Sequence, residues 1–98
     1  MALPLPATAQ ATHPAEDYRA AAALFSAGRR DEATYRFYRG QYRFRVHLRA
    51  RPDLPPGGDP ALFASLSESV GRPINEWAFG DVPHLLAILD RVIAASAA

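Results

Sequence analysis

The chain has 98 residues, 49% of them hydrophobic and 21% charged, with a formal net charge of +1. This is one domain's worth of chain with enough apolar content to build a core, which excludes disorder of the whole. It has no cysteine, which excludes disulfides, thiolate chemistry and cysteine-ligated zinc, and all eleven basic residues are arginine, which excludes a lysine Schiff base. Twenty residues are alanine, and the joint Arg/Ala bias fits a GC-rich bacterial genome.

Residues 1–12 read as an arm outside the fold. Leu3 to Pro6 is similar to the tail of an apolar signal region, and Ala9-Gln10-Ala11 has the small-x-small pattern of a cleavage site. The arm is therefore either a secretory-signal remnant or an Ala/Pro tail. The first reading places the protein in the periplasm in preference to the cytoplasm. No apolar run reaches the roughly 20 residues needed to cross a bilayer.

The first helix is expected over Ala15 to Ala27. Thr12 or His13 stands at the N-cap, Pro14 in the first turn, Glu16 and Asp17 at the positive end of the dipole, and Gly28 at the left-handed C-cap. A second helix is expected from about Asp31 to Arg49. At 100° per residue, Ala33, Phe37, Gly40, Phe44 and Leu48 form one narrow stripe that should be buried. Gly40 costs about 1 kcal/mol against alanine in mid-helix, so its place on that stripe predicts a helix crossing closely there. Residues 51–60 form a proline-rich hinge. A third helix follows over Pro60 to Val70 with Leu62, Phe63, Leu66 and Val70 inward, ended by Gly71. A short helix over Pro73 to Phe79 is expected to plug the core with Ile74 and Trp77, with Asn75 bonding the local backbone. Asp81 then caps a last helix, Val82 to about Ala95, whose Val82, Leu85, Leu86, Leu89, Val92 and Ile93 repeat at i, i+3, i+4, i+7 and should be the spine of the core. The expected fold is all-α: a compact bundle of four to five helices beginning with a helical hairpin. Residues 13–98 form a single domain, with hairpin 13–50, hinge 51–60 and C-terminal helices 60–98.

Charge is unevenly distributed. Arg29 to Arg51 carries a net +6, the chain from Pro52 onward a net −4, and the first 28 residues −1. On the second helix Arg36, Arg39 and Arg43 share one face, and Tyr35, Tyr38, Tyr42 and Val46 share another, with Arg45 and Arg49 at its edge. Arginine and tyrosine are enriched at the centres of protein interfaces, so Tyr35, Arg36, Tyr38, Arg39, Tyr42 and Arg43 are the candidate partner-binding set. Two bland readings stand beside this one. The arginines could pair with acids of the C-terminal half or stay solvated, and the tyrosines could pack on the first helix with their hydroxyls at the rim. Nucleic acid is disfavoured as a partner, because the acidic half would have to be held away from it.

His13, His47 and His84 lie far apart in sequence with no carboxylate at ligand spacing, so no metal site is expected. None has a serine partner in sequence that would suggest a triad. Glu68, Glu76 and Asp81 stand near Trp77, but their spacing singles out no acid–base pair. No enzyme activity and no cofactor are expected.

Two resemblances add to this reading. Ala23-Leu24-Phe25-Ser26-Ala27-Gly28-Arg29-Arg30-Asp31-Glu32-Ala33 resembles the middle of a tetratricopeptide-type hairpin, though no second copy follows at that repeat's 34-residue period. The hairpin together with RFYRGQYRFR and SVGRPINEWAFGD resembles small bacterial proteins of unassigned chemistry, some of them immunity partners of interbacterial toxins. That resemblance implies a non-enzymatic protein that binds and occludes a cognate toxin. The alternative is a structural helical module of the cell envelope or a homo-oligomeric scaffold, with the tyrosine stripe buried in a homodimer.

Overall fold

A computed structural model describes residues 13–96, so the expectation for residues 1–12 lies outside the described residues. Five α-helices and no strand are present among them: α1 (Ala15–Ser26), α2 (Arg30–Ala50), α3 (Asp59–Ser69), α4 (Gly71–Ala78) and α5 (Val82–Ser96). The expected all-α architecture is correct, and it opens with α1 and α2 packed against each other.

The α1–α2 turn forms where Gly28 takes φ +83, a conformation a side chain resists, while the Ala27, Gly28 and Arg29 amides bond back to Ala23, Phe25 and Leu24 carbonyls. Asp31 and Glu32 in the first turn of α2 and His47 and Arg49 in its last complement the helix dipole. At 21 residues α2 is about 30 Å long. Every other helix packs on it.

The core is the expected stripe. Ala33, Phe37 and Phe44 of α2 are buried with Ala15, Tyr18 and Ala21 of α1 and Ile74 of α4, while Leu48, Leu62, Phe63, Leu66 and Val70 close the edges. Tyr18 sits edge-on to Phe37 with ring centroids 5.3 Å apart, and Phe44 tilts against Phe63 at 5.0 Å. Tyr18 is fully buried and its hydroxyl reaches Ser67 on α3 at 3.5 Å. Burial raises the Tyr18 hydroxyl pKa. Gly40 marks the close crossing predicted for it: a Cβ there would lie 2.6 Å from the Cβ of Asp17 on α1.

Three expectations need correction. Gly71 does not end α3; it begins α4, with only Val70 between it and the end of α3 at Ser69. The ring tip of Phe37 occupies the space where a Cβ of residue 71 would stand, 2.7 Å away, so that glycine is there for the packing of α2. Pro73 is then the third residue of α4, where a missing N–H breaks no intrahelical bond. Second, Trp77 does not plug the core: Ile74 does, while Trp77 and Phe79 are exposed. Asn75 takes a hydrogen bond from Tyr38 instead of the local backbone. Third, α5 is not the spine. Asp81 caps it as expected, accepting from the His84 amide at 3.2 Å, but its buried residues are Leu85, Ile88 and Val92, and Val82, Leu86 and Ile93 face outward. Helix α5 lies on the back of α2 with nothing among the described residues on its far side, so half of its apolar pattern stays uncovered. The spine is α2.

Candidate functional site

The six residues singled out on α2 divide by where the helix meets its neighbours. Arg36 and Arg43 turn toward α1: Arg36 Nε donates to Asp17 Oδ1 at 3.1 Å and Arg43 Nη1 to Asp17 Oδ2 at 2.6 Å. Asp17 is 2% exposed. The arrangement follows from spacing. Positions 36, 40 and 43 lie on one line of the helix; Gly40 leaves room for Asp17 to approach, and an arginine one turn to either side closes on a carboxylate oxygen. The acid partner is thus on α1 and not in the C-terminal half. Charge summed over segments hides it, because Asp17 sits in a stretch of nearly balanced charge.

The tyrosines meet α4 and α5, not α1. Tyr38 donates to Asn75 Oδ1 and stands edge-on to Phe37 at 5.0 Å, and burial raises its hydroxyl pKa. Tyr35 lies beneath the guanidinium of Arg91, 4.7 Å from the ring centroid. Tyr42 remains at the surface, 49% exposed, and Arg39 is half-buried.

Around Tyr42 the structure brings together the expected neighbours Val46, Arg45 and Arg49 and adds Phe63 of α3. Val46, one turn on, is exposed too. Tyr42, Arg45, Val46, Arg49 and Phe63 line an open cavity of about 450 Å³. On its other flank Tyr42 shares a smaller hollow of about 270 Å³ with Val92, Ile93 and Ser96 of α5. Arg45 lies over Phe63 at 5.6 Å. Among the described residues, Arg39, Arg45 and Arg49 make no salt bridge, whereas Arg29 pairs with Glu32 and Arg36 and Arg43 with Asp17. The signal lay in the sequence as Tyr42 and Val46 at i, i+4 opposite the buried stripe. The sequence already groups Arg45 and Arg49 with that face; it does not show Phe63, which α3 brings in.

No family model, curated protein or solved structure matches this chain. The surface must be interpreted from its own chemistry. Among the described residues no helix is long and apolar enough to cross a membrane.

A second constellation is built by the fold and invisible in the sequence. His13 precedes α1, His47 lies in the last turn of α2 and Asp59 begins α3, yet His13 Nε2 and His47 Nε2 stand 2.9 and 2.6 Å from the same oxygen, Asp59 Oδ2. The two rings are 4.7 Å apart at their centroids and both touch Phe44 edge-on. Hydrogen bonds from His13 and then His47 hold the Asp59 carboxyl below the usual range. The Ala15 amide donates to His13 Nδ1 at 3.1 Å, which places the ring proton of a neutral His13 on Nε2, the nitrogen facing Asp59. The hinge, residues 51–58, brings Asp59 back over the end of α2. His84 is paired as well, with Asp31 at 2.8 Å, and that bond raises its pKa.

Proposed function

We propose that this chain is a non-enzymatic protein-binding protein that works by covering a site on its partner, as an immunity protein occludes a toxin. The observation that carries the reading is the surface around Tyr42. Tyr42 and Val46 stand exposed between open cavities, with Arg39, Arg45 and Arg49 beside them making no salt bridge to a described residue. An aromatic anchor with an apolar neighbour and an arginine rim is the composition of an interface centre. Uncompensated positive charge there suits an acidic partner and speeds the encounter. Arg36, Arg43 and Tyr38 support this surface from within by fixing α2 against α1 and α4. Two of the carboxylates near Trp77 serve local structure: Glu68 pairs with Arg72 and Asp81 caps α5.

The experiment is affinity capture from a native lysate with wild-type protein beside Arg39→Glu/Arg49→Glu. A partner bound by wild type and lost by the double variant supports the reading. A partner held equally by both moves the interface elsewhere. A second reading, a homo-oligomeric scaffold, is favoured by the outward row of Val82, Leu86 and Ile93 on α5, the last two 55% and 65% exposed. Light scattering separates them: a dimer that Leu86→Glu converts to monomer supports the scaffold.

A further inference from the structure

We propose that His13, His47 and Asp59 form a binding site for a divalent transition-metal ion of the zinc type. The three side chains come from the residue stretch before α1, from α2 and from α3, and their ligand atoms all lie within 4.8 Å of one another. Two imidazole nitrogens and one carboxylate oxygen form the donor set of an open zinc site, with further positions left for water or a ligand. Calcium and magnesium prefer all-oxygen shells, and copper(I) prefers the sulfur this site lacks.

The geometry is close to what such an ion needs. Tetrahedral zinc with bonds of about 2.0–2.1 Å holds its ligand atoms roughly 3.3 Å apart. Here the nitrogens stand 2.9 and 2.6 Å from the carboxylate oxygen. Inserting the ion in place of the two ring protons therefore lengthens these two distances by less than about 1 Å, while the two nitrogens, within 4.8 Å of each other, settle at the same spacing. All three residues are partly buried, with His47 the most enclosed at 16% side-chain exposure. The site has an approach path: His13 and His47 line an open cavity of about 510 Å³ together with Pro14, Tyr42, Arg43, Val46 and Arg51.

Two features oppose the ion and set its affinity. Arg43 and Arg51 line the same cavity and repel a cation. Coordination by His13 Nε2 also moves that ring's proton to Nδ1, which breaks the hydrogen bond from the Ala15 amide. Binding is accordingly micromolar and not the tight hold of a closed structural site. Because the ion ties the start of α1, the end of α2 and the start of α3 together, it stabilises the fold, and the hinge 51–58 becomes a closed loop.

The test is titration of zinc chloride into the full, untagged chain by calorimetry, with melting curves and two-dimensional ¹H–¹⁵N spectra of the histidine rings. One ion per chain binds with micromolar Kd, and a hundredfold excess over Kd raises Tm by roughly 10 °C or more. His13 changes from the Nε2–H to the Nδ1–H tautomer, while His84 keeps its own. His47→Gln and Asp59→Asn each weaken binding at least tenfold. Absence of binding at 1 mM zinc overturns the proposal. So does binding that survives both substitutions but disappears in His84→Asn, which would place the ion on the His84–Asp31 pair. If a variant does not fold, the wild-type tautomer change still decides, because an ion bound elsewhere leaves His13 in the Nε2–H form.

Discussion

Gly40→Ala sets two quantities of opposite sign against each other. In an exposed helix interior the change would stabilise by about 1 kcal/mol through helix propensity. At this crossing the new Cβ stands 2.6 Å from the Cβ of Asp17, where carbon atoms prefer about 3.5–4.0 Å. Asp17 cannot turn away. Its Cβ is the root of the side chain, so moving it moves α1, and its two oxygens are held at 3.1 and 2.6 Å by Arg36 and Arg43. Overpacking of this kind costs about 1–3 kcal/mol, and stretching the two arginine bonds adds to it, so the clash outweighs the propensity gain. The net expectation is a loss of about 1–3 kcal/mol, which in a domain this size lowers Tm by roughly 5–20 °C. Gly57→Ala is the control: nothing lies within 4 Å of a Cβ there and its φ is ordinary, so it leaves stability unchanged or raises it by up to about 1 kcal/mol through the unfolded chain. Urea unfolding followed by circular dichroism measures both. A Gly40→Ala protein as stable as Gly57→Ala would refute the close crossing and the clamp built on it.

Asp17→Asn keeps the shape but removes the charge that Arg36 and Arg43 share. Breaking a fully buried pair costs about 3–5 kcal/mol, and because both arginines reach solvent a loss of about 2–3 kcal/mol is expected in the same unfolding assay. Phe44→Ala empties the centre of the core, where Phe44 is fully buried against Tyr18 and Phe63, and should cost about 3–5 kcal/mol. The His84–Asp31 pair predicts a pH dependence. The folded pKa of His84 lies above 6.5, so its contribution is complete below pH 6.5 and is lost as pH rises through the folded value; NMR titration should place His84 above 6.5, and Asp31→Asn should return it.

The fold was legible where one residue had one role. Gly28 closed the hairpin, the Ala33–Phe37–Gly40–Phe44 stripe found the core, and Gly40 announced a crossing before the crossing helix was known. It was less legible on α5, whose regular apolar pattern records two faces, one against α2 and one outward, that periodicity alone merges. The candidate surface was half legible. A helical wheel groups the arginines and the tyrosines of α2, but it does not say which neighbour each side chain meets. Asp17 and Asn75 are that missing information: each is one polar residue on another helix, and each draws in side chains that would otherwise read as free. The His13–Asp59–His47 cluster could not be seen at all, because its members are 12 to 46 residues apart and the hinge brings them together.

The central proposal, partner binding through the surface around Tyr42, is tested most directly by calorimetry of the captured partner against wild type and Tyr42→Ala. Removal of an aromatic anchor at an interface centre costs about 2 kcal/mol or more, so affinity should fall by roughly 30-fold, with Tm lowered by only about 5–10 °C because Tyr42 is already half in solvent. Affinity within threefold of wild type would contradict the account.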